Sequence, residues 1–182
     1  MMKKTVLMIL LLFAITVYPN NQIEDESYNE IKNKIEIISD LKIPNYVDAK
    51  YVKFIYITAN AFELPIRLIF RLINWESKFK HNAINKTCIG FMQVKTTTYN
   101  KILLNPEFKK IIPDNWDELD INQKYIFAGM FYLKEMHNAW VNEGNSVWTL
   151  AVRSYNEGIG NVINNKNTIP TRKQKYINYI LN

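Results

Sequence analysis

Residues 65–79 read P-I-R-L-I-F-R-L-I-N-W-E-S-K-F, and this stretch decides the fold. Ile69, Leu72, Ile73 and Glu76 recur at i, i+3, i+4 and i+7, the spacing of one apolar helix face, while Arg67, Arg71, Asn74 and Lys78 fall on the opposite side. Glu63-Leu64-Pro65 is a break, and Pro65 suits a first helical turn, where its missing N–H would be unpaired anyway. The helix runs from Pro65 to about Glu76 and carries a carboxylate on its own apolar stripe. Flanked by Trp75 and Phe79 in the last turn, that carboxylate loses water and meets the negative end of the helix dipole. Both effects disfavour ionisation and raise its pKa. The plainer alternative is a helix that ends one residue early, with Glu76 turned to water.

Toward the N-terminus, a helix is predicted from Asp48 through Ala61 with Tyr51, Val52, Ile55 and Ala59 on one face. Residues 21–46 read as an acidic helical extension. Ser27 precedes Glu30 at capping-box spacing, Ile31, Ile35 and Ile38 follow at i, i+4 and i+7, and Pro44 closes the segment. Residues 1–20 read as a leader, with a basic start, the apolar run Val6–Val17 and then Tyr18-Pro19-Asn20. Twelve helical residues reach about 18 Å, short of a hydrocarbon core of about 30 Å, which points to a signal peptide. No clean A-x-A site precedes Asn20, so an uncleaved membrane anchor through residues 5–18 stays open. Either way the chain is expected to be exported, periplasmic or associated with the cell envelope.

Toward the C-terminus, Lys80–Ile89 is polar and aperiodic and reads as a loop or small hairpin, with Gly90–Val94 a short extended segment. Thr96–Thr98 offers caps for a helix through Leu104, and Asn105-Pro106 and Pro113-Asp114 mark turns. A long helix from Asp120 to Trp140 has the inner stripe Ile126, Met130, Leu133, Met136 and Trp140. Asn145-Ser146 caps the next helix, with Val147, Leu150, Ala151 and Ser154 on its face and Gly158 as its stop. A last helix from about Thr171 to Leu181 holds Tyr176, Ile177 and Ile180. No alternating strand pattern occurs outside residues 80–94, so the fold class is mainly α, a helical bundle with one small hairpin.

Composition narrows the chemistry. A length of 182 residues with 48% apolar content fits one domain and a short appendage. One cysteine, Cys88, excludes a disulfide framework and reads as a packed small residue rather than a nucleophile; His81 and His137 are too far apart for a zinc-binding pair. Gly158 and Gly160 form the sole G-x-G and lack the third glycine of a dinucleotide fingerprint. No metal and no cofactor are predicted. The net charge of +6 is scattered, with basic runs no longer than two, which describes a mixed-charge surface rather than a nucleic-acid site. Carboxylate chemistry is what remains.

Three segments then fall in a familiar order: E-S-K-F at 76–79, G-F-M-Q-V at 90–94 and S-Y-N-E-G at 154–158. With A-F-E-L-P at 61–65, Gly129 and Tyr132-Leu133 as G-x-x-Y-L, and Tyr176-Ile177, the sequence from about Asp48 onward resembles the catalytic domain of the soluble lytic transglycosylases. That lysozyme-like family cleaves peptidoglycan. The resemblance implies an α+β lysozyme-like fold over 47–182, with helices around a substrate groove. It implies Glu76 as catalytic acid/base and Ser77 and Phe79 as its support. Met92 and Gln93 would line the sugar groove, with Phe91 in place of the usual Leu. Tyr155 and Asn156 would stand beside the glutamate, with Ser154 in place of the common Ala, and Tyr176 would face the cleft. Ser77, Phe79, Phe91, Met92, Gln93, Tyr155, Asn156 and Tyr176 form the implied substrate-binding set. The departures are a segment from Glu76 to Gly90 one residue shorter than usual, His81 where a Pro follows E-S-x-F, and Thr87-Cys88 where a Gly-Ala pair is customary.

The implied reaction cuts the bond between N-acetylmuramic acid and N-acetylglucosamine, closing a 1,6-anhydro ring with one carboxylate and no water. Substrate assistance of this kind is an exception to the usual two-carboxylate scheme. The implied partner is the peptidoglycan glycan strand, met by a monomer that binds no nucleic acid. Two alternatives stay open. One is a hydrolytic muramidase that adds an acid such as Asp114, Asp117 or Asp120; the other is a wall-binding module that keeps the groove without cutting.

Overall fold

In the computed structural model, which describes residues 27–182, the 65–79 segment forms a helix enclosed by the rest of the chain. The expected leader at 1–20 lies outside the described residues. In chain order the helices are α1 (Tyr28–Ser39), α2 (Ala49–Ala61), α3 (Ile66–Ser77), α4 (Thr96–Leu104), α5 (Pro106–Lys109), α6 (Ile121–Ala139), α7 (Val147–Glu157), α8 (Ile159–Asn164) and α9 (Thr171–Leu181). Strands β1 (Ile84–Asn85), β2 (Cys88–Ile89) and β3 (Val94–Lys95) lie between α3 and α4. The fold is the mainly α, lysozyme-like class expected. Among the described residues no helix is long and apolar enough to cross a membrane.

Helix α3 packs against α1, α2 and α9, and Leu68, Ile69, Phe70, Leu72 and Ile73 are all buried. Pro65 is its N-cap, and the chain leaves it through two left-handed residues, Lys78 (φ 53°) and Phe79 (φ 61°). Arg71, expected on the exposed side, is buried. Its Nε donates to Ser39 O at 2.8 Å and its Nη1 to Tyr179 O at 2.9 Å. These carbonyls belong to the last turns of α1 and α9, where no helical N–H remains to meet them, so one guanidinium satisfies two helix ends. The same contact shifts the stripe of α1. Ile31 and Ile35 are buried as expected, but Ser39 replaces Ile38, which stays 46% exposed. Ser39 turns its hydroxyl back on Ile35 O and offers its carbonyl to Arg71. The capping box of Ser27 and Glu30 is present, and α1 joins the same core as α2 and α3.

The polar stretch after α3 becomes a three-stranded antiparallel sheet in the order β1-β2-β3. Gly90–Gln93, expected to be extended, is instead the turn between β2 and β3. Gly90 (φ 77°) and Gln93 (φ 48°) both take positive φ, and Gln93 N donates to Gly90 O. The Gln93 side chain then fastens the turn, its Nε2 donating to Ala83 O at 3.0 Å and Gly90 O at 2.9 Å. Helix α4 starts at Thr96 with no side-chain cap, so the threonines are not the caps expected. Asn105-Pro106 opens the one-turn helix α5, with Asn105 capping Glu107 N.

Asp120 caps α6, whose stripe Ile126, Met130, Leu133, Met136 and adjoining Trp140 is buried as expected. Gly158 (φ 84°) ends α7, but α8 follows at once, an element the sequence reading leaves out. Tyr176, Ile177 and Ile180 of α9 are all buried.

The sheet is seated on α6 at Gly129. A Cβ there would stand 2.9 Å from Met92 Sδ and 3.0 Å from Val94 Cγ2, so a side chain at 129 would have to push both aside. Gly129→Val is therefore expected to destabilise the protein by about 1–3 kcal/mol through overpacking, although valine is the better helix former. Chemical denaturation checks this, and an unchanged midpoint would contradict the packing account.

Candidate active site

The ends of α3 and α7, one side of α6, and the face of the sheet with the start of α4 converge on a cleft of about 290 Å³. Glu76 comes from α3; Tyr155, Asn156, Glu157 and Gly158 come from the end of α7, and Tyr132 from α6. The opposite wall is Asn85, Cys88 and Lys95 with Gln93, Val94 and Thr98. Asn85 pairs with Cys88 and Cys88 with Lys95 across the sheet, so three residues from three strands form one row facing the cleft.

Glu76 is half-buried where α3 ends. Loss of water pushes its pKa up from the ordinary glutamate value, and this outweighs three opposing influences: hydrogen bonds from Tyr176 and Asn156, and the charge of Lys173. Tyr176 Oη donates to Glu76 Oε1 at 3.1 Å. Burial, reinforced by the nearby glutamate, drives the Tyr176 phenol well above its usual range, so it stays a neutral donor. The Tyr176 ring meets Trp75 edge to face at 5.6 Å. Lys173, one turn earlier on α9, donates from Nζ to Asn156 Oδ1. Tyr155 donates to Met92 O at 2.8 Å and packs on Tyr132 at 5.5 Å, joining α7 to the β2–β3 turn and to α6. Burial likewise drives its phenol well above the usual range.

The residues carried over from the resemblance divide in two. Glu76, Gln93, Tyr155 and Asn156 line the cleft, whereas Tyr176, expected to face it, is buried and meets it only through its hydroxyl on Glu76. Ser77, Phe79, Phe91 and Met92 are buried beneath it. Ser77 Oγ donates back to Ile73 O at 3.1 Å, and Phe79 packs near Phe70. Phe91 packs against Tyr51, on which His81 also stacks at 5.7 Å. Met92 fills the space above Gly129. Gln93 spends its amide nitrogen on the turn, which leaves Oε1 as the atom that can meet a ligand.

Two findings bear on a second acid. Glu157, inside S-Y-N-E-G itself, lines the cleft, and the sequence reading gives it no role. Its carboxylate accepts from Arg153 Nε at 3.2 Å. Arg153, 1% exposed, also donates to Asn165 O, Lys166 O and Thr168 O, so the pair fastens the chain between α8 and α9. The i, i+4 spacing of Arg153 and Glu157 was the available signal. Asp114, Asp117 and Asp120 do not line the cleft. Burial alone would raise the Asp120 carboxyl, but the Gln123 N–H, Lys50 and Tyr51 outweigh it and hold it below the ordinary range while it caps α6.

Cys88, expected to be packed away, is a half-buried free thiol on the cleft wall. Lys95, Asn85, Thr98 and Lys173 carried no signal that marked them for this site. Among the described residues no cluster of His, Cys, Asp and Glu could hold a metal ion.

A family model described as Transglycosylase SLT domain matches residues 53–178, from within α2 to within α9. No significant match is found among curated proteins or among solved structures.

The raised pKa makes a signed prediction for stability. A carboxyl whose folded-state pKa exceeds its unfolded value contributes fully below the unfolded value, and that contribution is lost as pH rises through the folded pKa. Glu76→Gln, which removes the buried charge and keeps an oxygen for Tyr176, is expected to melt higher than the parent at neutral pH. The difference should shrink toward zero below the ordinary glutamate pKa. Paired melting curves across pH check this; a difference that does not depend on pH would contradict burial as the cause.

Proposed function

The chain belongs to the transglycosylase SLT domain family, and on that premise we propose that it is a peptidoglycan lytic transglycosylase with Glu76 as its single general acid/base. The observation that carries the reading is a glutamate made reluctant to ionise, in a cleft, with two neutral donors on its carboxyl. An acid of this kind keeps its proton to higher pH than an ordinary glutamate and has support for the charge it acquires after giving it up.

Glu76 delivers its proton to the glycosidic oxygen between N-acetylmuramic acid and N-acetylglucosamine. The C1–O bond breaks, and N-acetylglucosamine leaves with its 4-hydroxyl. The muramyl acetamido oxygen stabilises the cation at C1. Glu76, now ionised, takes the proton from the muramyl 6-hydroxyl as that oxygen bonds to C1. The carboxyl ends protonated and no water is consumed. Tyr155 and Tyr132 offer flat faces to sugar rings, while Gln93 Oε1 and Asn156 hydrogen-bond acetamido or hydroxyl groups. Ser77, Phe79, Phe91 and Met92 act from below, holding Glu76 and the turn in place.

The single-carboxylate scheme is favoured over a hydrolytic muramidase because Glu157, the other carboxylate lining the cleft, is engaged by Arg153. A binding module without catalysis has no use for a desolvated acid, which costs stability at neutral pH. The substrate lies outside the cytoplasmic membrane, in agreement with the leader expected at 1–20. In this reading residues 47–182 act as a monomeric catalytic domain, with α1 packed onto it.

Digestion of purified peptidoglycan, with mass spectrometry of the released muropeptides, tests the proposal. Anhydromuramyl products are expected from the parent, and Glu76→Gln is expected to lower their release by about 10²–10⁴-fold. Reducing ends in place of anhydro ends would replace the transglycosylase with a hydrolase, and glycan bound but uncut would leave only the binding module.

A further inference from the structure

We propose that Lys173 is a positioning residue that acts through Asn156, holding the side-chain amide with its NH₂ group turned on the Glu76 carboxyl. The inference rests on the acid/base reading of Glu76. An ammonium group has three donors and no acceptor, so Lys173 Nζ can meet only the oxygen of an amide. It donates to Asn156 Oδ1. An amide has one oxygen and one NH₂ group; with the oxygen committed, Nδ2 is the end left to donate toward Glu76 and Tyr176. The arrangement is built by α9, which places Lys173 and Tyr176 at i and i+3 on one face, so that one helix supplies both the Tyr176 hydroxyl and the group that orients Asn156.

This orientation matters because Glu76 has two tasks. With the amide oxygen turned toward it, Glu76 would be held only in its protonated form, and its service as a base would meet an acceptor facing an anion. With Nδ2 turned toward it, the carboxylate formed by proton transfer has donors from both Asn156 and Tyr176. Burial of Glu76 favours the acid half of the cycle, and the Lys173–Asn156 pair supports the base half. Removing Lys173 frees the amide to rotate and withdraws a positive charge, so the Glu76 pKa should rise further. The other groups facing Glu76 stay the same: Tyr176 on α9, Tyr155 and the Glu157–Arg153 pair on α7, Tyr132 on α6, and Cys88 and Lys95 on the sheet.

The test is a carbon NMR titration of the Glu76 carboxyl in the full chain, the resonance being assigned by its loss in Glu76→Gln. Lys173→Met is expected to titrate at higher pH than the parent, and Lys173→Arg close to the parent. In an Asn156→Ala background, Lys173→Met should move the midpoint no more than roughly half as far, the signature of a coupled pair. No shift in Lys173→Met, or an equal shift in both backgrounds, would overturn the proposal, the second by making Lys173 a bare charge. Lys173→Ala repeats the comparison should Lys173→Met fail to fold. With peptidoglycan, Lys173→Met is expected to lower kcat about tenfold, the scale of one hydrogen bond to a charged group, with KM unchanged. A raised KM with unchanged kcat would make Lys173 a substrate contact instead. Because the titration needs no turnover, it decides this proposal even if no anhydro product is ever found.

Discussion

The desolvation of one carboxyl group organises this molecule. Glu76 stands at the end of a helix that is buried along most of its length by α1, α2 and α9. An ionised carboxylate there costs free energy, and a protonated one does not. The surroundings answer that cost in part, through Tyr176, Asn156 and Lys173, all from the C-terminal half of the chain. The result is a group that can exist in either protonation state, which is what a residue serving in turn as acid and base requires.

Holding such a group in register takes several fixed points, and each settles a definite piece of backbone accounting. Arg71 supplies donors to the carbonyl ends of α1 and α9. Gln93 pins a turn with two positive-φ residues, which places the sheet as a wall. Gly129 lets that turn descend onto α6, and Tyr155 closes the circuit by donating to Met92 O. Arg153 gathers three carbonyls after α8 and holds Glu157, so the same residue shapes the approach to α9 and engages the second carboxylate. Several residues that the family resemblance associates with the cleft thus lie under it, packed against the groups that line it.

The periodicity of α3 was legible because helical spacing is local: Ile69, Leu72, Ile73 and Glu76 identify a face from twelve consecutive residues. The same holds for the capping box of α1 and the stripe of α6. The lack of strand alternation outside 80–94 gave the mainly α class, and the motif order around Glu76, Gln93 and Asn156 added the family. What escaped is non-local. The burial of Arg71 depends on carbonyls 32 and 108 residues away. The row of Asn85, Cys88 and Lys95 exists only once the strand register is known. The turn at 90–93 needs a left-handed glutamine, for which glutamine has no preference. Helix α8 lies behind a glycine that reads as a stop. The Arg153–Glu157 pair is a local signal, at i, i+4 within a helix legible from its apolar face.

In the proposed reaction residue 76 alone meets the bond being cut. A crystal structure of Glu76→Gln with a peptidoglycan tetrasaccharide in the cleft tests it most directly. The account predicts the glycosidic oxygen within about 3.2 Å of the residue 76 side chain, with Glu157 still on Arg153 and no carboxylate on the opposite face of the muramyl ring. A glycan seated with that oxygen out of reach of residue 76, or with Glu157 released from Arg153 and turned on C1, would contradict it.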